Sequence, residues 1–128
     1  MKKLLAILLV SLALCGPAFA QEAGKKDSKK QFVYVLKLSP RLLDEKNWTE
    51  RDKQIVGRHF RRLQQMQKDG RLILAGKTLD DADPSQFGVV VFEAETEEEA
   101  RGVMEADDAV KEKIMTARLF PFRVALAR

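Results

Sequence analysis

Cysteine is almost missing from this chain of 128 residues: there is one, Cys15, and none follows it. That excludes disulfides, thiol catalysis and Cys-based zinc sites from everything after residue 15. Histidine is equally scarce, with His59 alone. No G-x-G-x-x-G or P-loop is present, so no glycine-rich phosphate cradle is expected. No nucleophile elbow accompanies His59, which argues against a serine triad. After the N-terminus no apolar run approaches the roughly 20 residues of a membrane span.

The N-terminus reads as an export signal. Met1-Lys2-Lys3 is a positive n-region, Leu4 to Cys15 an apolar h-region, and Ala18-Phe19-Ala20 an A-x-A cleavage site. The residue before Cys15 is Leu14, too large for a lipoprotein signal. Residues 1–20 are therefore expected to be removed, leaving Gln21 to Arg128 in the periplasm or secreted, with no membrane attachment.

Excess charge of one sign is also lacking where it would matter. The formal net charge is +4, from 23 basic and 19 acidic residues. Lys2 and Lys3 belong to the signal, and residues 21–30 take four basic and two acidic residues, leaving 17 of each in 31–128. A nucleic-acid-binding domain concentrates positive charge in its folded part, so none is expected here. Residues 21–30 have no apolar periodicity and read as a disordered linker. Residues 31–128 can hold one small core.

The elements follow from periodicity. Phe32 to Leu38 reads as a strand, and residues 39–48 as a loop. Thr49-Glu50-Arg51-Asp52 is a capping box with Asp at its fourth position, opening a helix that stops at Gly70. Leu72 to Ala75 and Gly88 to Phe92 are strands, joined by a turn-rich stretch, 79–87. Thr96 to Glu99 caps a second helix, whose buried row is Ala100, Val103, Met104 and then Asp107. A short helical piece is expected over 109–118 and a last strand over 119–126, where Phe120, Phe122, Val124 and Leu126 alternate. The order βαββαβ predicts an α+β ferredoxin-like fold: a four-stranded antiparallel sheet with both helices on one face. Val89-Val90-Val91-Phe92 does not alternate, as in strands covered on both sides. The helices cover one side, so a second copy packing sheet to sheet is expected.

Two ionisable residues fall on buried helix faces. Ile55, Val56, Phe60, Leu63 and Met66 form the apolar stripe of the first helix, and His59 sits inside it. A core histidine bonded to a carbonyl is one reading; a working imidazole is the other. Asp107 is either the N-cap of the following helical piece or a partner for His59, with Asp108 able to take whichever role is left. A carboxylate on one ring nitrogen would fix the tautomer and raise the basicity of the other, giving a general acid/base with no metal. Asp80, Asp81 and Asp83 read as a solvated turn. Tyr34 and Trp48 read as core and loop packing.

The run His59-x3-Leu63, Gly70-x-Leu72, Ala75-Gly76, the valine strand, Glu98-Glu99-Ala100 and Asp107-x-x-Val110 resembles the YCII-related (YciI-like) domain family over about residues 31–126. The resemblance implies a ferredoxin-like fold that dimerises through its sheets into an α/β barrel. It also implies an active site at His59 and Asp107, although the family's usual Asp-Pro is Asp107-Asp108 here. Relatives include a dehydrochlorinase acting on an aromatic ring, and muconolactone isomerase is structurally similar. The expectation is an exported, cofactor-free lyase or isomerase acting on a small cyclic or aromatic molecule. A non-catalytic dimeric small-ligand-binding or structural module is the alternative. Haem binding through His59 is a third reading, taken from related barrels.

The export reading is checked by mass spectrometry of the periplasmic fraction. The expected mature chain begins at Gln21, and one still beginning at Met1 would overturn the compartment.

Overall fold

The computed structural model describes residues 29–128. The expected export signal and most of the expected linker, through residue 28, lie outside the described residues. The linker's last residue does not: Lys30 already pairs with Ala94 at the start of the first strand. Seven main elements follow in chain order: β1 (Lys30–Leu38), α1 (Glu50–Lys68), β2 (Leu72–Lys77), β3 (Gly88–Ala94), α2 (Glu97–Glu105), α3 (Asp108–Lys111) and β4 (Met115–Phe122). The strands form one antiparallel sheet in the order β2-β3-β1-β4. This is the ferredoxin-like α+β arrangement that the element order predicts. Among the described residues no helix is long and apolar enough to cross a membrane.

Each helix is set by its ends. Thr49 accepts from the Asp52 N–H, and Asp52 accepts from the Thr49 N–H at 2.9 Å. This reciprocal cap is worth about 1 kcal/mol. Arg41 clamps the same carboxylate with two bonds of 2.8 and 3.0 Å, tying the preceding loop to the helix start. That loop is more regular than its sequence suggests, with 3-10 turns at Pro40–Leu43 and Glu45–Asn47. At the other end of α1, Gly70 takes φ 71° and Arg71 N–H reaches back to Met66 O, the left-handed stop that glycine permits.

The core lies between the sheet and the α1/α2 layer. Phe32, Tyr34, Leu36, Val90, Phe92 and Ala94 meet Leu63 and Met66 of α1 and Ala100, Val103 and Met104 of α2. Fully burying each large apolar side chain contributes about 1.5–3 kcal/mol. Phe60 departs from the expected stripe, being 59% exposed. Ile55, His59, Leu63 and Met66 follow one another at steps of four and three, and Phe60 stands one residue, about 100°, off that line.

The C-terminal third also differs from expectation. The helical piece is only Asp108–Lys111, and β4 starts four residues earlier than read, at Met115, and ends at Phe122. The stop is Lys113 at φ 58°, with Ile114 N–H bonded to Ala109 O. A lysine in the left-handed region leaves no sequence mark of the kind glycine leaves at residue 70. β2 and β3 each run two residues beyond their expected ends.

The register sorts the two sheet faces. Tyr34 opposite Val90 and Leu119 belongs to the helix side, whereas Val33 opposite Val91 and Phe120 belongs to the other. Leu74, Val91, Val33 and Phe120 line up across all four strands on that open face. Val35, Val89 and Phe122 extend the patch, and Arg118 lies 4.9 Å over the Phe120 ring.

Candidate functional site

Three elements bring polar side chains to one point under α1. His59 comes from the middle of α1, Tyr34 from the helix side of β1, and Asp107 from the corner between α2 and α3. Asp107 and Tyr34 have no exposed surface, and His59 is 9% exposed. His59 Nδ1 lies 2.8 Å from both carboxylate oxygens of Asp107. The Tyr34 hydroxyl donates to Oδ2 at 2.8 Å, and the Ala109 N–H donates to Oδ1 at 3.0 Å. Asp107 therefore caps α3 and meets His59 together, so the two roles left open by the sequence are not exclusive. Asp108 does neither: it faces Arg58 at 3.4 Å on the surface.

The electrostatics follow from this census. Burial pushes the Asp107 carboxyl up, but the bonds and charge from His59, then the Tyr34 and Ala109 donors, outweigh it and hold it below its usual range. It stays a carboxylate, and an ionised carboxylate only accepts. His59 Nδ1 must then carry a proton, which leaves the lone pair of the neutral ring on Nε2. Burial first, then the Asp107 charge and bond, push the Tyr34 phenol well above its ordinary value, so it remains a donor.

His59 lines a cavity of about 400 Å³ between α1, the sheet and the β2–β3 connection. Its walls include Trp48, Phe60, Leu63, Phe87, Val90 and Met115. Phe60 and Phe87 are both partly exposed at this cavity, which accounts for the departure of Phe60 from the core. The Trp48 indole donates to Leu42 O at 2.9 Å, which fixes its ring against the loop. Lys77 lies on the wall but is bonded to Asp81 at 2.8 Å. Gln86, on the turn-rich connection, is buried and also lines the cavity.

Sequence reasoning missed three of these residues. By sequence Tyr34 is core alone; a buried phenol needs an acceptor, and that requirement is the available signal. By sequence Trp48 is loop packing, and Gln86 carries no signal in a stretch of turn residues. Asp80 and Asp83 accept from nearby backbone N–H groups and Asp81 pairs with Lys77, as turn residues do. Among the described residues no group of three His, Cys, Asp or Glu side chains comes together as a metal site. The free Nε2 of His59 is the one imidazole nitrogen that could meet a metal or cofactor.

An α+β ferredoxin-like domain with a buried His-Asp contact beside an apolar cavity is the class that fold and geometry define. The model of the YCII-related domain matches residues 31–123, and the chain belongs to that family. Among curated protein sequences, none matches the chain. Among solved structures, the chain is similar to 5-chloro-2-hydroxyhydroquinone dehydrochlorinase from Burkholderia phenoliruptrix, in complex with 2,5-dihydroxybenzoquinone. The TM-score is 0.55 at 18% identity, covering 73% of this chain and 93% of that one. At that identity the similarity concerns the fold.

Asp107→Asn tests the electrostatics. The amide can still cap α3, but it removes the charge. The ring ¹⁵N shifts of His59 should move away from the Nδ1–H form, and unchanged shifts would show that Asp107 does not set the tautomer. The folded carboxyl titrates below its unfolded value of about 3.9, so its stabilisation is present above that pH and lost as pH falls through the folded value. The stability gap between wild type and variant should narrow below about pH 4 in urea titrations.

Proposed function

We propose that His59, oriented by Asp107, moves a proton on a small cyclic or aromatic organic molecule held in the cavity. The reaction is of the lyase or isomerase type and uses no cofactor. The observation that carries this reading is the contact of His59 Nδ1 with a fully buried carboxylate, on a ring that lines the cavity. His59 Nε2 takes a proton from an acidified C–H or O–H of the ligand. Asp107 stabilises the imidazolium that forms. The proton then returns to a different atom, giving an isomer. Alternatively, a leaving group departs with its electron pair, giving an elimination. Dehydrochlorination, named for the similar Burkholderia enzyme, is an elimination of this kind: proton to the base, chloride to solvent. Apolar walls exclude water and strengthen the ion pair formed midway.

The test is proton exchange on hydroxylated rings in D₂O, followed by NMR, with chloride release from 5-chloro-2-hydroxyhydroquinone measured in parallel. His59→Ala should abolish either activity. Asp107→Asn should lower it by about a hundredfold or more. An active His59→Ala protein would remove the base. A wild-type protein that binds rings and exchanges no proton would instead be a ligand-binding module.

We further infer that two copies pack through the open sheet face. The supporting feature is its apolar patch, with Leu74 49%, Phe122 45% and Phe120 36% exposed at its two edges. With an export signal at the N-terminus, this homodimer would work in the periplasm or outside the cell. Sedimentation at micromolar concentration should give a dimer, and Phe120→Glu, at the end of the row, should give a folded monomer. A wild-type monomer would overturn the interface.

A further inference from the structure

One polar side chain on the cavity wall has no part in proton transfer. Gln86 is 6% exposed and is the last residue but one of the connection between β2 and β3. Its Oε1 accepts from the Leu38 backbone N–H at 3.4 Å. An N–H can bond only an acceptor, so the amide is oriented: oxygen toward β1, NH₂ on the opposite branch. Among the described residues Nε2 has no protein acceptor, although the side chain is more than nine-tenths buried. The atom is not sealed off, since among the described residues the enclosed side-chain nitrogen without a partner is Arg62 Nε, so the Gln86 NH₂ is open to what the cavity binds. The charge around it is equally specific. Lys77, the single lysine or arginine on the wall, is already bonded to Asp81. The cavity thus offers aromatic surface, one imidazole lone pair and a neutral NH₂ donor, with no free cation.

We propose that Gln86 is the substrate anchor: its Nε2 donates to an uncharged carbonyl oxygen on a ring-bearing substrate, and selects aryl or cyclic ketones over carboxylates. The inference rests on the cavity being the substrate site. A carboxylate entering would meet no free cation and would lose its hydration, whereas a ketone loses little and gains the amide bond. The same bond polarises the carbonyl. A carbonyl so held acidifies the C–H beside it, the kind of proton His59 would take.

Three probes of similar shape test this by isothermal titration: 4-hydroxyacetophenone, 4-ethylphenol and 4-hydroxybenzoate. The wild-type protein should bind the ketone about tenfold more tightly than 4-ethylphenol, as one well-placed hydrogen bond allows. It should bind 4-hydroxybenzoate more weakly than the ketone. Gln86→Leu should bring the ketone-to-ethylphenol ratio close to one. Gln86→Glu keeps an acceptor for the Leu38 N–H and replaces the NH₂ by oxygen, so it should erase the preference even if the leucine variant folds poorly. A ratio unchanged in Gln86→Glu, or a wild-type protein that binds none of the probes, overturns the anchor. The two readings separate cleanly. A Gln86-dependent preference with the His59 ring resonances unmoved by the bound ketone keeps the anchor and removes the base. Proton exchange lost in His59→Ala, with a ketone preference indifferent to Gln86, does the reverse.

Discussion

A carboxylate with no exposed surface is the constraint on which this domain turns. Asp107 sits where desolvation pushes its carboxyl toward the neutral form. It stays charged because β1, α1 and the start of α3 each send it one donor: Tyr34, His59 and the Ala109 N–H. Those bonds join the sheet to both helical segments at one atom pair. Losing a donor would leave buried charge short of a partner, at a cost of about 1–3 kcal/mol. Yet a buried ionic contact is not an efficient source of stability, since an apolar replacement of the same volume is often as good or better. Its presence beside a core cluster of eleven residues fits the proposed role of orienting His59.

The cavity completes that logic. A tautomer fixed on Nδ1 matters only if Nε2 can reach something, and α1 delivers it to a space walled by Trp48, Phe60 and Phe87. Phe60 illustrates the trade. As a core residue it would be buried with Leu63. Half-exposed at the cavity, it gives up hydrophobic stabilisation that a bound apolar ring could return. The open sheet face is a second unfilled surface of different character: Leu74, Val91 and Val33 run to Phe120 and Phe122 with Arg118 over the Phe120 ring, a patch without a cavity, and this supports the proposed sheet-to-sheet contact.

The fold was legible where chemistry and geometry share a residue type. Thr49 and Asp52 mark a helix start because their side chains satisfy backbone donors, and Gly70 marks its end because only glycine takes that φ freely. Where the chain turns without such a residue, at Lys113, the reading placed β4 four residues late. The helix-face positions of His59 and Asp107 were likewise readable from spacing. Tyr34 and Gln86 were not, because nothing in a strand or a turn-rich loop says which neighbour a polar tip will find. That depends on the register of β1 against β4 and β3, and on the path of the connection before Gly88.

The two roles of Asp107 also explain why the residue is aspartate. Capping α3 needs one acceptor oxygen, which asparagine supplies about as well. Holding a protonated Nδ1 and a tyrosine hydroxyl on the remaining lone pairs needs an acceptor-only group, which asparagine is not. An amide at this position would turn an N–H₂ toward one of the donors of His59 or Tyr34, leaving that donor buried and unmatched. A neutral cap would also do nothing for an imidazolium. The cap accounts for an oxygen at Asp107 Oδ1; the charge on that oxygen pair is accounted for by the histidine.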